Sequence, residues 1–94
     1  MKRIPVLIIY DITDDYIRNE ISKELLYYGL RTQKSLFEAE VSEGELKELK
    51  KIVDRYAELD PSNSVNLYIL TPDQYRNVVR LGPDDSLTID DFVI

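Results

Sequence analysis

The chain has 94 residues, with 12 Lys and Arg against 18 Asp and Glu, a net charge of −6, and no Cys or His. That length allows one domain. The missing residue types exclude disulfide scaffolds, thiol nucleophiles, Ser-His triads and zinc held by Cys or His, leaving hydrolysis to carboxylates, hydroxyls, Lys and Arg, backbone groups or a hard metal on oxygen ligands.

Ile4 to Tyr10 is a continuous run rich in Ile, Leu and Val, which predicts a strand central in a sheet. Met1-Lys2-Arg3 ahead of it imitates a secretion signal. No small-residue cleavage site follows, and Asp11 ends the apolar stretch early, so a cytoplasmic protein without a membrane partner is expected. Asp11-Ile12-Thr13-Asp14-Asp15 supplies turn and cap residues. Ile17, Ile21, Leu25 and Tyr28 then recur at helical spacing, with Gly29 expected as the C-cap.

Arg31 to Val41 alternates and predicts a second strand. Ser42 with Glu45 fits a capping box, opening a helix whose apolar stripe is Leu46, Leu49, Ile52, Val53 and Tyr56 and whose outer face is charged. Asp60-Pro61-Ser62-Asn63 breaks the pattern. Ser64 to Leu70 predicts a third strand, Thr71-Pro72-Asp73 a turn, and Tyr75 to Leu81 a fourth strand. After the breaker Gly82 to Ser86, Leu87 to Ile94 reads as a last strand.

These elements predict an α+β, ferredoxin-like βαβ-αβ-β sandwich with an antiparallel sheet and two helices on one face. Residues 1–94 form one domain, with a core over 1–81 and a C-terminal segment, 82–94, suited to reach a partner. The uncovered sheet face points to a dimer.

The first candidate for chemistry is Asp11, at the carboxyl end of the apolar strand. It reads either as a turn aspartate or as an oxygen ligand for a hard cation such as Mg²⁺. One carboxylate makes a poor site, and two copies related by a two-fold axis make a better one. Arg18 and Arg31 suit bidentate contact with phosphate, or surface ion pairs with nearby acids. Seven Tyr allow base stacking, but most are better explained as half-buried rings whose hydroxyls reach water. Asp84-Asp85 and Asp90-Asp91 read as metal ligands or as solubilising edge charges. Net charge counts against tight non-specific DNA binding, although residues 1–38 are neutral overall and the acid lies beyond them.

Leu7-Ile8-Ile9-Tyr10-Asp11-Ile12, then Asp14-Asp15 and Arg18-Asn19, then Tyr28 through Glu38 resemble the small CRISPR-associated Cas-two nucleases, which work with the Cas-one integrase in spacer acquisition. The resemblance implies a homodimer whose last strand adds to the partner's sheet. It also implies a divalent metal, Mg²⁺ or Mn²⁺, between the two copies of Asp11. Arg18 and Arg31 match basic residues near that site, acting on phosphate, while Tyr10 and Phe37 match aromatics that shape it. Glu20 stands where some relatives carry a second basic residue.

The activity implied is metal-dependent hydrolysis of phosphodiester bonds in RNA or DNA. The alternative is a non-catalytic dimeric adaptor bridging integrase dimers and protospacer DNA. A regulatory ferredoxin-like domain ranks behind both, because the chain has no glycine-rich phosphate loop or cofactor fingerprint.

Overall fold

The apolar run near the start of the chain becomes the central strand. In the computed structural model, which describes residues 2–78, β1 (Ile4–Asp11) pairs antiparallel with β3 (Leu36–Val41) on one side and with β4 (Ser64–Ile69) on the other. An outer strand, β2 (Gly29–Gln33), pairs with β3, giving the order β2-β3-β1-β4. With α1 (Asp15–Leu25) after β1 and α2 (Glu43–Leu59) after β3, the order is the βαββαβ of the ferredoxin-like fold. A short α3 (Pro72–Arg76) follows β4.

Strand alternation sorts β1 into two faces. Val6, Ile8 and Tyr10 are buried under the helices, whereas Ile9 and Asp11 project to the opposite face, which is open at their end although Pro5 and Glu38 are buried farther along it. Their neighbours agree: Ile8 lies opposite Phe37 and Leu67, and Tyr10 lies opposite Val65. The helices cover the first face with Ile21 and Leu25 from α1 and Leu46, Leu49, Ile52 and Tyr56 from α2. Each such side chain, fully buried, contributes about 1.5–3 kcal/mol. The caps fall where the residue types place them. Asp14 accepts from the Ile17 N–H at 2.9 Å, and Ser42 and Glu45 close a reciprocal capping box.

A polar clasp joins the two helices. The Glu24 carboxylate on α1 accepts from Arg55 Nη2 at 2.5 and 2.6 Å and from the Tyr56 hydroxyl, both on α2. The Arg55 guanidinium also lies 5.2 Å from the centre of the Tyr56 ring. Partial burial pushes the Glu24 carboxyl up, but the Arg55 and Tyr56 hydrogen bonds and the Arg55 charge outweigh it and hold the group below its ordinary value. Burial and the adjacent Glu24 carboxylate push the Tyr56 phenol up to about 12.

Three expectations need correction. The single strand over Arg31–Val41 is two strands, β2 and β3, joined at Lys34–Ser35. Alternation runs across that join, and the turn carries no Gly, Pro or Asn to mark it. Gly29 is not a cap: α1 ends at Leu25 with Leu26 in right-handed geometry, and Gly29 opens β2. A Cβ there would lie 2.2 Å from the Glu38 carbonyl oxygen and 2.7 Å from Ala39 Cβ, so the strand needs glycine for close approach to β3.

Thirdly, the strand expected from Tyr75 begins instead inside α3. Thr71 and Gln74 form a second capping box and Pro72 takes the first turn, which together start a helix. Positions 79–81 of that expected strand, the expected strand 87–94, the partner-reaching segment 82–94 and both acidic pairs lie outside the described residues.

Candidate functional site

Asp11 is the last residue of β1 and is exposed on the open face. Among the described residues, no hydrogen bond or ion pair engages its carboxylate. Its surroundings come from three directions. On one side Ser64, the first residue of β4, is its direct cross-strand partner. On the other side the Ser35 carbonyl accepts from the Tyr10 N–H at 3.1 Å, bringing the Lys34–Ser35 turn beside the strand end. Below runs the β1–α1 loop, which Asp14 closes as the cap of α1.

Arg18 braces that loop. Its Nη1 donates to the Ile12 carbonyl at 2.9 Å, and Nη2 pairs with Asp15. Asp15 is largely exposed, so this ion pair contributes little and yields readily to a competing anion. Arginine has five N–H donors, and the carbonyl bond leaves others for phosphate. The structure therefore brings Arg18 to the same end of the sheet as Asp11 while giving it a structural duty as well.

Arg31 is placed differently. It pairs with Phe37, which pairs with Ile8, so it stands two strands from β1 and three residues short of Asp11. Strand spacing and rise put it about 10 Å to the side and about 10 Å along the sheet, so one chain does not bring the two together. Tyr10 and Phe37 meet each other, with ring centres 6.2 Å apart, but in the core at 2% exposure each and on the face opposite Asp11. The Tyr10 hydroxyl hydrogen-bonds Ser22 Oγ at 2.9 Å, tying β1 to α1. These aromatics support the strand end from beneath and do not line the open face.

The sequence reading missed Ser64 and Asn66. Both lie on the open face of β4, opposite Asp11 and Ile9 respectively. Only strand register brings them to Asp11, more than fifty positions away in the chain.

A separate concavity lies elsewhere. A groove of about 360 Å³, lined by Arg3, Pro5, Glu40, Pro72, Tyr75 and Arg76, lies at the other end of β1. Its cations are already committed, Arg3 to the Glu40 carbonyl and Glu45, and Arg76 to Asp73.

Among the described residues of one chain, no three acidic groups gather to hold a metal. The donor set is a single free carboxylate with a hydroxyl beside it. Mg²⁺ prefers oxygen, keeps several waters and takes one or two carboxylates, so this donor set suits it, and a second carboxylate brought beside the first would complete the pair.

Residues 4–78 match the family model described as CRISPR associated protein Cas2. The chain belongs to that family. It is 32% identical over 81 residues, 83% of its length and 86% of the relative's, to CRISPR-associated endoribonuclease Cas2 2 of Pyrobaculum aerophilum. It is 44% identical over 52 residues to CRISPR-associated endoribonuclease Cas2 of Mycobacterium tuberculosis, a match covering 55% of this chain and spanning 46% of that relative's length.

The fold agrees with solved Cas2 structures. A crystal structure of Streptococcus pyogenes Cas2 superposes with a TM-score of 0.67 at 27% identity, covering 83% of this chain and 99% of that one. A chain of a partial Cas6-RT-Cas1–Cas2 complex gives 0.66 at 25% identity, covering 83% of this chain and 90% of that one. No helix among the described residues is long and apolar enough to cross a membrane.

Proposed function

We propose that this Cas2-family chain acts in the adaptation step of CRISPR immunity as a homodimeric, metal-dependent endonuclease on RNA or DNA. The observation that carries this reading is the Asp11 carboxylate, exposed at the end of the central strand and without a partner among the described residues. A carboxylate so placed is available to an external cation. The names of the relatives, endoribonucleases, support a phosphodiester as substrate. The open face supports the dimer: it presents Ile9 and Tyr68 exposed, apolar surface that a second copy would cover.

In this reading Asp11 from each copy holds Mg²⁺ or Mn²⁺, and the ion supplies charge stabilisation on the phosphodiester and a more acidic water. Arg18, by exchanging Asp15 for phosphate, orients the backbone of the nucleic acid. Arg31 reaches the same phosphate only if the second copy brings it there. Tyr10 and Phe37 keep the strand end rigid, which fixes where the carboxylate stands.

The test is cleavage of single- and double-stranded RNA and DNA with Mg²⁺ or Mn²⁺ by the wild type and by Asp11→Asn. Loss of cleavage in a variant that sediments as the same dimer is the expected result. Undiminished cleavage by Asp11→Asn rules the mechanism out.

A second reading is favoured by the Cas1-containing assembly in which a similar chain sits. In that reading two copies of this chain would bridge integrase dimers and DNA, and Asp11 would be dispensable. Spacer acquisition in cells discriminates the two: retained acquisition by Asp11→Asn supports the bridge, and lost acquisition supports the nuclease.

A further inference from the structure

Ser64 is the nearest residue across the ladder from Asp11, since the β1–β4 register makes them direct partners. Their chain neighbours Tyr10 and Val65 are both buried on the helix side, so the two side chains project together from the open face. Directly opposed residues of antiparallel strands hold their Cβ atoms about 4.5–5.5 Å apart. That is near enough for a hydroxyl and a carboxylate oxygen to converge on one ion, whose oxygen ligands sit about 2.0–2.1 Å from it. Among the described residues, the Ser64 hydroxyl has no hydrogen-bond partner.

The segment leading into Ser64 is by contrast fully tied down. The Asp60 carboxylate accepts from the Ser62 N–H and hydroxyl, both at 2.9 Å, and these bonds hold the Asp60 carboxyl below its ordinary value. The Asn63 N–H reaches the Asp60 carbonyl at 2.9 Å, and the Asn63 side chain donates to the Tyr56 carbonyl at 3.0 Å. The strand therefore starts from a braced loop whose donors are satisfied locally, while the one hydroxyl facing Asp11 is left over. Pre-positioned backbone with an unspent oxygen beside a free carboxylate suits ligand binding better than stability.

We infer that Ser64 is a positioning residue of the Asp11 cation site, adding a neutral oxygen to the carboxylate either directly or through one of the ion's waters. Each copy then contributes one charged and one neutral donor, a set suited to a small hard cation. The inference rests on the Asp11 reading above, and its test separates the two.

The full-length protein is titrated with Mn²⁺ by isothermal calorimetry and by electron paramagnetic resonance, without nucleic acid. Circular dichroism and sedimentation check each variant's fold and assembly. Ser64→Ala is expected to weaken Mn²⁺ binding about ten-fold, as outer-shell partners do. Ser64→Thr keeps a hydroxyl on a strand-favouring side chain, so it should bind within about two-fold of the wild type. Asp11→Asn should abolish binding.

If Ser64→Ala binds as the wild type while Asp11→Asn does not bind, the role of Ser64 is overturned and Asp11 stands. Equal weakening by Ser64→Ala and Ser64→Thr also overturns it, because the hydroxyl then does nothing. Unchanged binding by Asp11→Asn overturns the Asp11 reading, and the inference with it.

Discussion

The clasp between α1 and α2 offers a stability test in which two kinds of interaction compete at one carboxylate. Tyr56 is 5% exposed and donates to Glu24. Replacing it with Phe removes that donor from a carboxylate that is only partly exposed. Hydrogen bonds to charged groups contribute about 1.5–3 kcal/mol, so Tyr56→Phe should cost about 2 kcal/mol. Arg55 should contribute less, despite its two contacts with Glu24. Its side chain is 55% exposed and that of Glu24 36%, so solvent screens the ion pair to about 1 kcal/mol or less.

At about 4–8 °C per kcal/mol for a domain of this size, Tyr56→Phe should lower Tm by about 8–16 °C, and Arg55→Gln by no more than about half as much. The order of the two is the prediction. Measured by thermal and urea unfolding at one protein concentration, a larger loss for Arg55→Gln would refute the weighting of buried hydrogen bond over exposed ion pair.

The same clasp fixes a pH signature. Glu24 has a lowered pKa in the folded state, so its contribution is complete above the ordinary glutamate value, about 4.3, and fades as pH falls through the lower folded one. Tyr56 has a raised pKa, so its contribution is complete below the ordinary tyrosine value, about 10, and fades as pH rises toward about 12. The stability gap between wild type and Tyr56→Phe should be level from about pH 5 to about pH 9 and shrink on both sides. A gap that widens in acid would contradict the assigned direction for Glu24.

Two further substitutions test the local reading. Gly29→Ala drives a Cβ into the Glu38 carbonyl and the Ala39 backbone, neither of which can rotate away. It should cost about 3 kcal/mol by thermal unfolding, and a loss under about 1 kcal/mol would show that β2 shifts freely. Ser42→Ala removes the α2 capping box and should cost about 1 kcal/mol in urea unfolding, while Ser42→Thr should recover most of it.

What was legible in the sequence follows the range of the physics behind each signal. The run Ile4–Tyr10, the cap at Asp14 and the Ser42–Glu45 box are local, set by residues within one or two turns, and the structure has them where expected. The hairpin between β2 and β3 was hidden because Lys34–Ser35 lacks the residues that announce a tight turn, and the alternation of the sequence runs on past it although the pairing shifts register between Arg31 and Gln33. At Tyr75–Arg76, the start of the expected fourth strand, a cap at Thr71 and a proline in the first turn make a helix instead. The candidate site divides in the same way. Asp11 is readable as the residue that ends an apolar strand, whereas Ser64 becomes its neighbour only through a register that depends on tertiary pairing.

On the proposed reading, the sheet's two faces separate stability from chemistry. Tyr10 and Asp11 are adjacent in sequence, yet one ring is sealed in the core and the next carboxylate stands in water. The core side anchors the strand end through Phe37 beside Tyr10 and the Ser22 hydroxyl, so the backbone at Asp11 is rigid although its side chain is unpaired. A functional group left unsatisfied on a rigid strand tip is costly to keep only if it is buried, and Asp11 is not. The fold can therefore hold an incomplete donor set at no great loss of stability and complete it from outside. Substitutions at Asp11 and Ser64 should then leave unfolding almost unchanged, while substitutions at Tyr10 or Phe37, one step away, should alter both stability and any activity together.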